Sequence, residues 1–267
     1  MERHKLTVRD LIEGRGSVQR TNVFVETARE AAAAEEAGVD IITVDGRLLT
    51  PDIRRAAPDT FFIGGLAFAH LATTDDYVRA AAAMYEMGVD AFYCAAGPST
   101  IERLAEDRYP VVGHVGLIPW HTTWTGGWRA VGKTLDSALA VWRQVRRLEA
   151  AGAFGAEIEV VPVEIARQIA ARSSLFLISM GSGNGCHTQY LFAEDILGTN
   201  SWRYPRHSKR YADMAVEEER LQRLRVSAFA QYVSEVQSGT FPSESHVVHV
   251  DDSAEAAFQE ALDVTGE

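Results

Sequence analysis

One hydrophobic pattern recurs along this chain. A stretch with helical spacing of its apolar residues ends in an acidic residue and a glycine, and an almost unbroken apolar run follows. The first copy is Glu36-Ala37-Gly38 leading into Val39-Asp40-Ile41-Ile42-Thr43-Val44-Asp45. The second is Glu86-Met87-Gly88 leading into Val89-Asp90-Ala91-Phe92-Tyr93. The third is Glu149-Ala150-Ala151-Gly152 leading into Ala153-Phe154-Gly155-Ala156-Glu157-Ile158-Glu159. A glycine there supplies the left-handed residue that closes a helix. The run after it lacks the alternation of a strand with one wet face, so it reads as a strand covered on both sides, as in a parallel sheet. Helix-to-strand repetition without Pro/Ser-rich linkers predicts one α/β domain. The pattern places strands near 22–26, 39–45, 60–66, 89–94, 110–115, 154–160 and 174–180, with a weaker eighth near 202–207. Helices are predicted near 27–37, 73–87, 99–107, 133–151, 162–172 and 187–196, and a long terminal helix over 208–237. The tail from about 244 is polar and acidic and reads as a mobile end.

Composition agrees with this architecture. A chain of 267 residues, 46% of them hydrophobic, suits a single (β/α)8 TIM barrel with a long C-terminal helix, one domain over 1–267. No run of 18 apolar residues occurs, and the charged start Met1-Glu2-Arg3-His4-Lys5 lacks a signal core, so a cytoplasmic protein is expected. Cys94 and Cys186 are the only cysteines, too few for a disulfide framework. The net charge of −11 argues against nucleic acid or an anionic membrane as partner and leaves a small-molecule substrate.

Residues 111–162 hold the most chemistry for their length. Val111-Val112-Gly113-His114-Val115-Gly116-Leu117-Ile118-Pro119 reads as a buried strand and its exit. Gly126-Gly127-Trp128-Arg129-Ala130-Val131-Gly132-Lys133-Thr134 reads as a Gly-rich loop entering a long helix, and Glu157-Ile158-Glu159-Val160-Val161-Pro162 as the end of a second buried strand. Barrels and doubly wound sheets build sites from groups at strand ends, where His114 and Glu159 stand. Glu157 faces the same side as Glu159, and two carboxylates there invite a shared proton or a cation. Asp45 ends the second strand, with Arg47 just beyond as a possible partner for a substrate carboxylate. After the seventh strand, Gly181-Ser182-Gly183-Asn184-Gly185 either offers backbone N–H groups to an anion or makes a tight connection. Trp120-His121-Thr122-Thr123-Trp124 is either an aromatic wall for a flat substrate or a loop anchored at a subunit contact.

These segments resemble the ketopantoate hydroxymethyltransferase family, within the phosphoenolpyruvate mutase/isocitrate lyase-like barrels. That family reads G-H-L-G-L-T-P-Q, G-G-Y-x-V-Q-G-[RK]-T and L-E-C-V-P at the corresponding places. His4-Lys5-Leu6-Thr7-Val8-Arg9-Asp10-Leu11, Lys209-Arg210-Tyr211-Ala212-Asp213 and Ser238-Gly239-Thr240-Phe241-Pro242-Ser243-Glu244 are similar to its opening, its C-terminal helix and its tail. The resemblance spans most of 5–246. It implies the barrel, aldol-type bond formation on a 2-oxo acid through an enolate, and a homo-oligomer. Val226, Phe229, Tyr232 and Val233 at helical spacing would give such an oligomer an apolar face.

The resemblance also assigns roles. Glu159 stands at the base that takes a proton from the carbon beside the keto group, and a desolvated carboxylate suits that task. His114 stands at a histidine that either meets the substrate or bonds backbone. Asp45 stands at an Asp that holds Mg²⁺. Other positions differ. Gly65 and Ala95 replace acids near that ion, Tyr93 replaces a substrate-binding Lys, and roughly twenty residues of the mouth are missing between Arg47 and Asp59. Mg²⁺ favours several oxygen ligands, so no metal is favoured. The alternatives are a site rebuilt from Glu26, Glu157 and Glu159 or one of Asp45, Glu157 and Glu159, and a one-carbon folate donor is left open. The expected site is Glu159 and His114 for catalysis, with Asp45, Arg47, Tyr93, Glu157, Gly181, Ser182 and Trp120 around the substrate. Three functions stay open: the family's hydroxymethyl transfer, a metal-independent aldolase, decarboxylase, isomerase or cyclase on the same barrel, and a non-catalytic barrel that binds a small acid.

Overall fold

Eight parallel strands close into a barrel in chain order, each paired with the next and the last with the first, in the computed structural model. The structure describes residues 4–67, 70–200 and 204–265. Two compact units emerge, residues 1–213 and 214–267, and the barrel is complete within the first. Its elements run α1 (Val8–Glu13), β1 (Arg20–Phe24), α2 (Ala28–Glu36), β2 (Ile41–Asp45), α3 (Pro51–Arg55), β3 (Phe61–Leu66), α4 (Thr74–Glu86), β4 (Ala91–Cys94), α5 (Pro98–Glu106) and β5 (Val111–Gly116). A 3-10 turn (Pro119–His121) follows, then α6 (Thr122–Thr125), α7 (Leu135–Ala150), β6 (Gly155–Glu159), α8 (Val163–Ala170), β7 (Phe176–Met180), β8 (Thr188–Phe192) and α9 (Ala193–Leu197).

The recurring glycine does what its position requires. Gly38, Gly88 and Gly152 have φ of 85°, 85° and 82°. The next residue's N–H then reaches back to the helix, as from Val39 to Ala34 O at 2.9 Å and from Ala153 to Leu148 O at 3.1 Å. This closes the orphan carbonyls and turns the chain straight into a strand. The helix starts are equally local. Thr27, Thr73 and Thr134 each cap a helix with a reciprocal bond from three residues on.

Two apolar layers result. Val44, Phe62, Phe92, Val115 and Ile158 face outward under the helices, with Ile53, Ile101, Val145 and Leu148 packed on them. Ile41, Phe61, Ile63, Ala91, Val112, Phe176 and Ile178 fill the barrel interior, and Leu11 of α1 joins them. The interior is therefore a packed floor, and ionisable groups can stand only above it, at the strands' C-terminal ends.

The eighth strand corrects the sequence reading. It is Thr188–Phe192, within the stretch read as a helix over 187–196, of which only α9 is helical. Residues 202–203 of the weaker strand lie outside the described residues, and 204–207 form no strand. Thr188-Gln189-Tyr190-Leu191-Phe192 pairs with all five residues of β1, and that long-range pairing outweighs the local pattern. The second unit holds α10 (Met214–Ser238), a 3-10 turn at Glu244–His246 and α11 (Asp252–Thr265). Within it Phe241 lies between Tyr232 and His246, with ring centroids at 5.7 and 5.1 Å. No described helix is long and apolar enough to cross a membrane.

Candidate active site

The parallel register of β5 and β6 sets His114 opposite Glu157 and Gly116 opposite Glu159. Alternate residues of a strand share a face, so both glutamates and the histidine point into the barrel. All three are buried, with His114 7%, Glu157 6% and Glu159 8% exposed. His114 Nε2–H donates to Leu117 O at 2.8 Å and lies 3.3 Å from Glu159 Oε2. Its Nδ1 is hydrogen-bonded to the Tyr93 hydroxyl, which rises from β4. Burial opposes the imidazolium, yet Glu157, Glu159 and the Leu117 carbonyl overcome that penalty and hold the ring's pKa above its usual value. Burial first, and then Glu159, push the Glu157 carboxyl up to about 7 against the pull of His114. Glu157 lines a small interior gap, with room for about one water molecule, together with Asn22, Thr43, Tyr93 and Tyr190. Burial beside the two carboxylates keeps both tyrosines protonated.

The backbone around Glu159 is held hard. Leu117 N–H donates to Glu159 O at 2.9 Å, which requires the turn at Gly116, where φ is 90°. Val160, the next residue after Glu159, has φ of 48°, a conformation that costs a β-branched residue on the order of 1–3 kcal/mol. Its N–H donates to Met180 O at 2.8 Å and its carbonyl accepts from Val131 N–H at 3.1 Å. Ser182 is 1% exposed, and its hydroxyl donates to Ile158 O at 2.8 Å and accepts from Val161 N–H at 2.9 Å. That side chain latches the β7 exit to the β6 exit. Gly181 has φ of 68°, and the His207 ring packs where its Cβ would be, 2.9 Å away. Burial holds the pKa of the His207 ring below its usual value against the opposing pull of Glu159 and Asp195, and its packing on Gly181 sets it beside the β7 exit. The sequence reading missed it because it placed His207 in a strand.

On the opposite rim, Asp45 shares the inward parity of Ile41 and Thr43 and pairs in register with Gly65, which pairs with Tyr93. Arg47 folds back on it. Arg47 Nε–H donates to Asp45 Oδ1 at 3.0 Å, Nη2 to Oδ2 at 2.7 Å, and the Arg47 backbone N–H to Oδ1 at 2.8 Å. Burial alone would raise the Asp45 carboxyl, but the bonds from Arg47 win and hold it below the usual range. Trp120 stands 60% exposed on the turn after β5, with Trp124 and Trp128 also in solvent. Glu26 is exposed and outside the glutamate cluster.

One ligand atom each from His114, Glu157 and Glu159 lie within 4.8 Å of one another, a spacing able to hold a metal ion. The expectation that no metal is favoured is therefore unsupported. The set differs from the anticipated Asp45, Glu157 and Glu159, because Asp45 belongs to the other rim. The family-type Mg²⁺ position does not fit: both Asp45 oxygens are engaged by Arg47, and Gly65 and Ala95 offer no side-chain ligand where the family resemblance puts acids.

Comparisons with known proteins bear on family and fold. The ketopantoate hydroxymethyltransferase family matches residues 47–244. A 3-methyl-2-oxobutanoate hydroxymethyltransferase of Thermotoga neapolitana is 32% identical over 91% of this chain and 96% of that protein. One of Hyperthermus butylicus is 33% identical over 91% and 90%. Among solved structures, 2,3-dimethylmalate lyase superposes with a TM-score of 0.56 at 15% identity, over 84% of this chain and 89% of that one. Oxaloacetate acetylhydrolase gives 0.54 at 13%, over 89% and 97%. At such identities the structures speak for the fold alone. A matching family over most of the chain, with relatives above 30% identity along nearly its whole length, settles the descent: this chain belongs to the ketopantoate hydroxymethyltransferase family, whose members are carbon–carbon bond-forming transferases.

Proposed function

We propose that this protein removes a proton from the carbon beside the keto group of a 2-oxo acid and joins that carbon to a one-carbon electrophile. The observation that carries the reading is Glu159, fixed at the end of β6 with His114 Nε2 at 3.3 Å. Glu159 takes the proton as the C–H bond breaks, and the electron pair moves into the enolate. The donors nearest the site, the His114 ring and the Tyr93 hydroxyl, are bonded to Leu117 O and to each other, and one of those bonds gives way to meet the developing oxyanion. The enolate carbon then attacks the electrophile, and the new alkoxide takes up a proton. A barrel that positions the base and its donors on rigid strand ends serves this step directly.

The ligand set for a divalent ion is His114, Glu157 and Glu159, and an ion there would polarise a carbonyl oxygen. The two uses compete. A Glu159 that ligates an ion through one oxygen keeps lone pairs on the other but is a weaker base, and His114 must release Leu117 O or Tyr93 to bind metal. Supporting the base reading, both ring nitrogens already have partners.

The deciding experiment follows deuterium exchange at C3 of 2-oxoisovalerate in D₂O, alongside metal analysis of the purified protein. Exchange that survives stripping by chelators supports Glu159 as a free base. Exchange that needs a stoichiometric ion held by the cluster would replace that reading. No exchange with any 2-oxo acid would remove the function.

A further inference from the structure

The disagreement at the Asp45 rim has its own chemistry. In the family resemblance, this strand end carries acids and a divalent ion. Here one acid remains, and Gly65 stands directly across from it in register. Arg47 meets the remaining acid with a two-point fork, the geometry in which guanidinium and carboxylate bond best. The charge balance is nearly kept. Three acids and a dication sum to −1, and one acid and one guanidinium sum to zero.

Arg47 is also oriented for more than Asp45. Its Nη1 reaches His70 Nε2 at 2.8 Å. Guanidinium only donates, so His70 accepts there and carries its ring proton on Nδ1. Of the five N–H groups, two are used on Asp45 and one on His70. Two remain, one on each terminal nitrogen. The Arg47 side chain is 53% exposed, against 21% for Asp45, so the spare donors sit at the open side of the pair. Two N–H groups on a fixed cation match a carboxylate.

We propose that Arg47 is a tethered cation standing in place of the family's metal ion at the end of β2, and that its spare N–H groups bind the carboxylate of the 2-oxo acid. This rests on the functional reading above for the substrate. Asp45 and His70 are positioning residues that hold the guanidinium.

Two measurements on the full chain test it. The first needs no activity: Mn²⁺ is titrated into chelator-treated wild type and Asp45→Asn, with free Mn²⁺ read by electron paramagnetic resonance. Equal isotherms are expected, since Asp45 is already occupied by Arg47. A site present in wild type and lost in Asp45→Asn overturns the proposal, whatever reaction the enzyme performs. The second compares Arg47→Ala and Arg47→Lys in the exchange assay. KM for 2-oxoisovalerate should rise by roughly 10- to 100-fold in Arg47→Ala, the worth of hydrogen bonds to a charged group. Lys should rescue poorly, because it lacks the fork. Millimolar guanidinium should restore part of the loss in Arg47→Ala. An unchanged KM in Arg47→Ala overturns the carboxylate contact. Absence of exchange in wild type would instead fail the functional reading and leave the Mn²⁺ comparison standing.

Discussion

The two rims of this barrel mouth have the same origin and different contents. On the β5–β6 side, His114, Glu157 and Glu159 are packed below solvent, and the backbone that carries them is tied at Gly116, Val160 and Ser182. On the β2–β4 side, Asp45 is part exposed, Gly65 and Ala95 contribute no polar side chain, and an exposed Arg47, bonded to Asp45 and His70, supplies the charge. Desolvated groups shift their proton affinities, while a charge left half in water is screened and acts mainly by contact. Under the proposed function this difference becomes a division of labour, with proton movement on the dry rim and substrate holding on the wet one.

The largest expected effect falls on the dry rim. Glu159→Gln should lower C3 exchange by about 10²–10⁴-fold, the usual worth of a general base, while calorimetric binding of the 2-oxo acid stays close to wild type. Near-normal exchange in that variant would move the base to Glu157 or His114 and erase the division.

Backbone substitutions sharpen the same contrast in stability. Gly116→Ala would place a Cβ 2.4 Å from Glu159 O at a φ of 90°. Such a clash with strain should cost roughly 2–4 kcal/mol. Gly65→Ala meets nothing closer than Val44 O at 3.3 Å, with an ordinary φ. Its cost should stay near ~1 kcal/mol, within the range of common mutations. Urea denaturation of both variants measures the pair, and equal losses would show that the two rims are equally rigid. Ser182→Ala comes next. It strands the buried Val161 N–H and removes a donor from Ile158 O. That should cost about 1–3 kcal/mol without changing KM. A raised KM with unchanged stability would instead make Ser182 a substrate ligand.

The contrast also explains what the sequence could and could not reveal. The Gly38, Gly88 and Gly152 helix ends are local devices, so seven strands are legible from the chain alone, and the barrel follows. Thr188–Phe192 gains its strand state from pairing with β1, a long-range event that local periodicity does not encode. The Glu159 motif and His114 could be found because strand parity fixes where they point. The use of Ser182 as a latch, the closing of Gly181 by His207 and the folding of Arg47 onto Asp45 depend on loop paths, for which no period exists. The raised carboxyl illustrates the same limit. Both glutamates share a face, yet only the neighbours that the fold supplies push Glu157 to about 7.

That carboxyl gives the smallest effect and the cleanest sign. Below about pH 4.5 Glu157 is protonated in the folded and the unfolded chain. Between pH 4.5 and about 7 the unfolded chain loses that proton while the folded chain keeps it, so the folded state is progressively disfavoured as pH rises. His114, raised above 6.5, acts in the same direction. Its charged form stabilises the fold below 6.5, and that contribution is lost as pH rises through the folded value. The single carboxylate of the wet rim has the opposite sign in another window: Asp45, held low by Arg47, stabilises above its unfolded pKa and loses that only in acid. Stability should therefore decline from about pH 5 to 8 because of the dry rim alone. The Glu157 and His114 charges act on each other, so their contributions are not additive and the net decline should be of order 1 kcal/mol, below the sum of separate shifts. Glu157→Leu removes the acid and should flatten the decline, measured as urea stability at pH 5 and pH 8. A slope that survives in Glu157→Leu and vanishes in Asp45→Asn would place the coupled protons on the other rim.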